Sequence, residues 1–212
     1  MIFIDFIKLI PKIAKEKLLG EEAHKKMSPP ERLTFLSTND VNNFSPKRAA
    51  VLMLFYPKDA LAHMVLIIRN EYPGVHSAQI SFPGGKFEPF DKNMEVTALR
   101  ETYEEIGIAP EQIKLVKAFS ELYIPPSNFL VVPYLGYSHE ELMFKLDARE
   151  VSSIIELSLS DFLNENNFTT QKMQTSYMKE IEIPVFKFGD NIVWGATAMM
   201  LSELKEVLKM VL

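Results

Sequence analysis

The 212-residue chain contains no cysteine. Disulfides, thiolate metal centres and cysteine nucleophiles are therefore excluded. It also lacks an excess of positive charge. Its 23 Lys and Arg against 28 Asp and Glu give a formal net charge of -5 and a pI near 5.5. That balance argues against a nucleic-acid surface and suits an enzyme whose local cations attract anionic ligands. A long unbroken apolar run is missing too. Residues 1–19 carry Ile2, Phe3, Phe6, Ile7, Leu9, Ile10, Ile13 and Leu18 at helical spacing, but Asp5 and Lys8 interrupt them. The stretch is too short and too charged to span a bilayer and has neither the basic start nor the cleavage site of a secretory signal. It reads as an amphipathic helix packed on the domain or on a second copy in a homodimer, with a membrane-surface helix as the alternative. No internal repeat or low-complexity tract is present. The expected compartment is the cytoplasm.

What is present is ordinary for a soluble globular chain: 47% hydrophobic and 24% charged residues. The length suits one main domain. We divide the chain into an N-terminal helix and connector over 1–46 and a main domain over 47–212. Residues 20–46, polar and broken by Pro29, Pro30 and Pro46, are expected to form a connector. Strands are expected over 49–56 and 64–68, around 113–121 and 129–136, at 154–157, and as a pair over 171–177 and 181–188. Ser158 or Ser160 is expected to cap a brief helix, and 197–212 to form a closing helix around Leu201, Leu204 and Leu208. Strands interspersed with helices imply an α/β sandwich.

The most informative stretch runs from Phe82 to Ile108. Residues three and four apart share a helix face, so Glu101, Glu104 and Glu105 should project together, with Thr97 one turn earlier. Val96, Leu99, Tyr103 and Ile106 would form the opposing apolar stripe. Asn93 is the expected N-cap, with Glu95 in the first turn, and Gly107 the expected C-terminal stop. Pro83, Gly84 and Gly85 are expected to break regular structure and turn the backbone against the helix. Clustered carboxylates need a compensating cation. Arg100 supplies part of it, and a divalent metal with oxygen ligands would supply more. A lone Glu-x-x-Glu-Glu is usually a solvated helix face; here the glycines and Arg100 favour a metal platform.

Taken together, Gly85, Arg100, Glu101, Glu104, Glu105, Gly107 and Ile108 resemble the Nudix box, Gly-x5-Glu-x7-Arg-Glu-U-x-Glu-Glu-x-Gly-U. The spacing from Gly85 to Arg100 is one residue longer than the pattern, and Lys92 stands where the loop glutamate belongs. Asp91, one place earlier, takes over that acid and absorbs the extra residue. Thr102 replaces an aliphatic residue. Upstream, Arg69, His76, Gln79, Phe82, Pro83, Gly84 and Gly85 resemble the signature of the coenzyme A pyrophosphatase branch, with Ile68, Asn70 and Ala78 departing from it. Val132-Pro133, Glu150-Val151 and 194–198 resemble that branch as well.

The resemblance covers roughly 47–205. It implies a Nudix-type α/β/α sandwich with a mixed sheet, here with an added N-terminal helix. It further implies hydrolysis of the diphosphate of a nucleotide substrate. Coenzyme A or acyl-CoA, giving 3′,5′-ADP and 4′-phosphopantetheine, is the leading substrate, and ADP-ribose, NADH and dinucleoside polyphosphates are the rivals. Mg²⁺, or Mn²⁺ in its place, would be held by Glu101, Glu104, Glu105 and the Gly85 carbonyl. Glu105 is the expected essential ligand, Glu101 the first choice of general base, and Glu150 a later-loop alternative. Arg100 belongs to the catalytic set, and Arg69, His76 and Gln79 to substrate binding. For Arg69 the fork favours a phosphate over a structural ion pair. Trp194 is expected in the core, and Lys47 and Arg48 on a strand edge. The rival of another class is a catalytically silent Nudix-fold binding module, which would be expected to have lost charge at one of the three glutamates.

Overall fold

The structure, a computed structural model, describes residues 1–30, 32, 44–70, 79–173 and 181–212. Its centre is β1 (Lys47–Lys58), whose apolar run is buried on both sides. Ala49, Val51, Met53 and Phe55 face one core, and Ala50, Leu52, Leu54 and Tyr56 face the other. β2 (Leu61–Arg69) repeats the device, with Met64 and Leu66 on the first side and Val65 and Ile67 on the second. A period-2 chain buried on both faces reads as a continuous hydrophobic run, and it requires a layer of helix on each side.

β1 pairs antiparallel with β2 and parallel with β7 (Phe129–Tyr137). β3 (Ile80–Ser81) and β8 (Val151–Ser158) add to β2, and β5 (Lys114–Ala118) and β6 (Leu122–Ile124) add to β7. Gly84–Lys86, expected to be irregular, instead forms the short strand β4 against Ala49–Val51 of β1. Only glycine allows this at Gly84. Its φ is +145°, and a Cβ there would stand 2.3 Å from the Ala50 carbonyl oxygen. The result is the expected mixed sheet. A second, antiparallel sheet joins β9 (Phe168–Met173), β10 (Ile181–Phe188) and β11 (Asn191–Val193). Residues 174–177 of the expected strand pair lie outside the described residues.

One face is covered by α3 (Met94–Ile106), the other by α1 (Phe3–Lys15) and α5 (Gly195–Val211). α1 packs on its own chain: Phe3, Phe6 and Ile13 are buried, and the Phe6 ring centroid lies 4.5 Å from that of Phe55. The short α4 (Leu159–Leu163) is capped by Ser158, whose hydroxyl accepts from the Asp161 N–H. The described residues of the 20–46 segment include α2 (Glu21–Lys25), with Ala23, His24 and Met27 buried. One buried carboxylate, Glu203 of α5, ties the start of this segment to the main domain. It accepts from the Gly20 N–H at 2.7 Å and from the Ser120 hydroxyl at 2.6 Å. Among the described residues no helix is long and apolar enough to cross a membrane.

Candidate active site

α3 starts and stops as its sequence dictates. The Asn93 side chain accepts from the Val96 N–H at 3.0 Å, and Gly107 closes the helix with φ +75°. Its roll about its own axis differs from expectation. Val96 and Tyr103 are exposed, whereas Thr97, Ala98, Thr102, Glu105 and Ile106 face the sheet. Two polar capture points account for this. The Thr102 hydroxyl bonds back to the Ala98 carbonyl at 2.7 Å, so its departure from an aliphatic residue leaves no polar atom unsatisfied. The Glu105 carboxylate accepts from the Gly84 N–H at 2.7 Å and from Arg69 Nη1 at 3.2 Å.

The three glutamates share the helix but not an environment. Glu105 is 2% exposed, Glu101 is half-buried and Glu104 reaches solvent. Burial pushes the Glu105 carboxyl up to about 8. The Gly84 N–H and Arg69 oppose that rise, and the charges of Glu101 and Glu150 add to it. Burial likewise raises Glu101, against the pull of Arg100. The site is thus short of positive charge at its centre.

Arg100 spends its donors on its neighbours. Nε and Nη2 fork onto Asp91 at 2.9 Å each, Nη1 reaches Glu101 at 2.9 Å and Glu104 at 2.8 Å, and Nη2 also bonds the Lys86 carbonyl at 3.0 Å. Asp91 in turn accepts from the Thr97 hydroxyl at 2.9 Å and the Glu88 N–H at 3.0 Å. The fork from Arg100 holds the Asp91 carboxyl down at about 2. Asp91 and Arg100 therefore clasp the loop to the helix, and the acid one place off the pattern reaches the arginine. Thr97, noted in the sequence only as a neighbour, is the buried third member of this clasp.

Gln79 sits beside the end of β2, where its carbonyl accepts the Arg69 N–H at 3.1 Å. Glu150 lies exposed on the turn before β8, its carbonyl accepting the Asn70 N–H at 3.0 Å. Arg69, expected to fork a phosphate, is paired with Glu105 in this structure. His76 lies outside the described residues.

Among the described residues no three acids already enclose a common point at which a metal would sit. The donor set nevertheless fits a hard divalent cation. It consists of carboxylate oxygens, and the Glu101 carboxylate lies so close to Gly85 that a Cβ there would meet its Oε2 at 2.4 Å. The Gly85 backbone thus lies close enough to the Glu101 carboxylate for the two to share a small ion. Beside this cluster a cavity of about 370 Å³ runs along the opposite face of the sheet, with Arg69, Gly84, Gly85 and Lys86 in its wall.

Comparison with known proteins agrees with the motif. The sequence model of the NUDIX domain matches residues 46–175. Nudix hydrolase 22, chloroplastic, of Arabidopsis thaliana is 32% identical over 164 residues, covering 74% of this chain and 54% of that protein. The human mitochondrial coenzyme A diphosphatase NUDT8 is 29% identical over 157 residues, 73% of this chain and 66% of that one. The chain spans only about half the length of the first curated relatives it matches, 54%, 59% and 53%. Among solved structures, a Nudix hydrolase from M. smegmatis, RenU, superposes with a TM-score of 0.54 at 16% identity, over 79% of this chain and 88% of that one, which bears on the fold alone. A helix that turns Glu101 and Glu105 onto a Gly84-Gly85 loop, clasped by Arg100, and a domain match over more than half the chain lead to one conclusion: this chain belongs to the Nudix family.

Proposed function

We propose that this chain hydrolyses the diphosphate bond of a nucleoside diphosphate derivative in a divalent-metal-dependent reaction, with coenzyme A or acyl-CoA as the substrate. The observation that carries the reading is the meeting of Glu101 and Glu105 with Gly84-Gly85 at the rim of a cavity large enough for part of such a molecule. The coenzyme A assignment is finer. It draws on the upstream residues Arg69, Gln79, Phe82 and Pro83 and on relatives named coenzyme A diphosphatases at 29% and 26% identity.

Nudix hydrolases in general use a divalent metal. Held by Glu101, Glu104, Glu105 and the Gly85 carbonyl, such an ion would offset diphosphate charge and acidify a water. The protein's own residues do the rest. The Gly84 N–H and Arg69 fix the Glu105 carboxylate, so its oxygens are already oriented when substrate arrives. Arg100 is a positioning residue, holding Glu101 and Glu104 through one nitrogen while clasping Asp91 with the others. Lys86, on the cavity side of β4 and paired with Glu88 at 3.1 Å, is an ammonium available to a phosphate there. Glu101 accepts the proton of the attacking water, and Glu150, projecting from its turn, is the alternative base.

The experiment is product analysis by mass spectrometry, with Mg²⁺ or Mn²⁺, on coenzyme A, ADP-ribose, NADH and diadenosine polyphosphates. Release of 3′,5′-ADP and 4′-phosphopantetheine from coenzyme A, faster than turnover of the others, is the expected result. Preferred cleavage of another member would retain the chemistry and discard the substrate. No turnover of any would favour the silent binding module. Glu101→Gln and Glu150→Gln, compared in the same assay, identify the base by which one loses more kcat.

A further inference from the structure

The cavity beside the acid loop has a form that the box chemistry does not require. Lys86 of β4, Ala49 of β1 and Val131 of β7 stand in register across the sheet, and Leu122 of β6 continues the row. Lys86, Ala49 and Val131 all line the cavity, and Ile124 and the turn Pro125–Ser127 close it beyond β7. Three inter-strand steps separate the acid-loop end from this turn, about 14 Å at the usual strand spacing. Along the way the walls are mainly apolar: Val51 and Phe129 from the sheet, Met199 and Met200 from α5. Pro29 and Arg32 bring the N-terminal segment to the same wall.

Polar atoms with no partner interrupt the apolar lining. Five buried side-chain polar atoms lack a hydrogen-bond partner among the described residues, and three of them, Arg69 Nε, Ser81 Oγ and Ser127 Oγ, belong to residues of this cavity. A buried orphan donor or acceptor costs about 1–3 kcal/mol, and these three atoms are themselves shielded from the cavity, so a ligand that draws the side chains toward it would relieve that cost. Asp190 and Asn191, side chains suited to reading a base edge, line a second cavity, which shares Gln79, Ile80 and Trp194 with the first.

Resting on the diphosphatase reading above, we propose that the apolar cavity holds the non-nucleotide arm of the substrate. That arm is an extended, uncharged chain bearing amide or hydroxyl groups, and it runs from the diphosphate at Gly84–Lys86 to Ser127. Arg69 and Lys86 meet its phosphate end, Val51, Phe129 and the α5 methionines cover its carbons, and the Ser81 and Ser127 hydroxyls pair with its amides. The turn Pro125–Ser127 then sets how long an arm is accepted.

Trp194 is the only tryptophan in the sequence and borders both cavities, so its fluorescence reads occupancy without turnover. Metal-free protein would be titrated with 4′-phosphopantetheine and, in parallel, with 3′,5′-ADP. A saturable response to 4′-phosphopantetheine is expected. Ser127→Ala should weaken it by about 5-fold, the worth of one hydrogen bond, and weaken 3′,5′-ADP less. Ala49→Leu, which fills the floor of the cavity, should weaken it further, with circular dichroism confirming the fold of both variants. No saturable response, or affinities unchanged in both variants, would overturn the proposal. Arm binding without turnover of any diphosphate would leave this proposal standing and defeat the diphosphatase reading. Coenzyme A turnover without arm binding would do the reverse.

Discussion

Glu105 and Glu203 are two buried carboxylates on helices, 2% and 0% exposed, and their surroundings push them in opposite directions. Burial alone would raise both. At Glu203 it is outweighed by His24, Ser120 and the Gly20 N–H, so its carboxyl is held below the usual range. The Ser120 N–H and hydroxyl bond it at 3.1 and 2.6 Å, the Gly20 N–H at 2.7 Å, and His24 Nε2 lies 3.5 Å away. Glu105 has one backbone N–H and one guanidinium contact, and the charges of Glu101 and Glu150 work against it. A carboxylate satisfied on every side is a structural tie. One left short of positive charge, behind a glycine loop that lines a cavity, is poised to take a cation or a proton.

Removing each charge should break this comparison in opposite ways. Glu105→Gln is expected to lower kcat by about 10³-fold or more, since about 4 kcal/mol of transition-state stabilisation depends on it. The melting temperature of the metal-free variant should change little near pH 7, because the amide still accepts the Gly84 N–H and a carboxyl pushed up to about 8 is already largely uncharged there. Steady-state kinetics and calorimetry check the two halves. Glu203→Ala should invert the pattern. It orphans the Gly20 N–H and both Ser120 donors at a cost of about 3 kcal/mol. For a chain of this length that is a fall of roughly 6–12 °C in Tm, with kcat at saturating substrate kept within about twofold of wild type.

Two smaller effects sharpen the contrast. In Arg100→Lys an ammonium cannot reproduce the fork on Asp91 together with the bonds to Glu101, Glu104 and the Lys86 carbonyl. It should cost about 2 kcal/mol in urea unfolding and lower kcat by about 10-fold. The smallest effect is on pH dependence. Glu203 has a folded pKa below its unfolded value, so its stabilisation is fully present above the unfolded pKa and is lost as pH falls through the folded one. Acid unfolding of Glu203→Gln should therefore show a shallower loss of stability below about pH 4.5 than wild type.

Much of this was legible in the chain because it is local or periodic. The N-cap Asn93, the stop at Gly107, a brief helix capped at Ser158 or Ser160, and the buried strands β1 and β2 follow from the local pattern alone, and the fold chose Ser158. The orientation of α3 was not. Apolar periodicity favoured Tyr103 over Glu105 as the buried residue, and the Gly84 N–H, 21 residues away, decided otherwise. Gly84 and Gly85 read as breakers because their sequence says nothing of a parent strand in close contact. The Glu203 tie joins residues 183 apart, and so a polar N-terminal segment concealed a packed helix. Within the site, Arg100 and the glutamates were readable from the motif. Their division into a buried, a half-buried and an exposed acid needed the fold.

The most direct test of the contrast is Mn²⁺ binding followed by electron paramagnetic resonance, with wild type, Glu105→Gln and Glu203→Gln side by side and no substrate present. Bound Mn²⁺ is expected in wild type and Glu203→Gln, and its loss in Glu105→Gln. Equal binding by Glu105→Gln and wild type would contradict the assignment of that carboxylate to the metal.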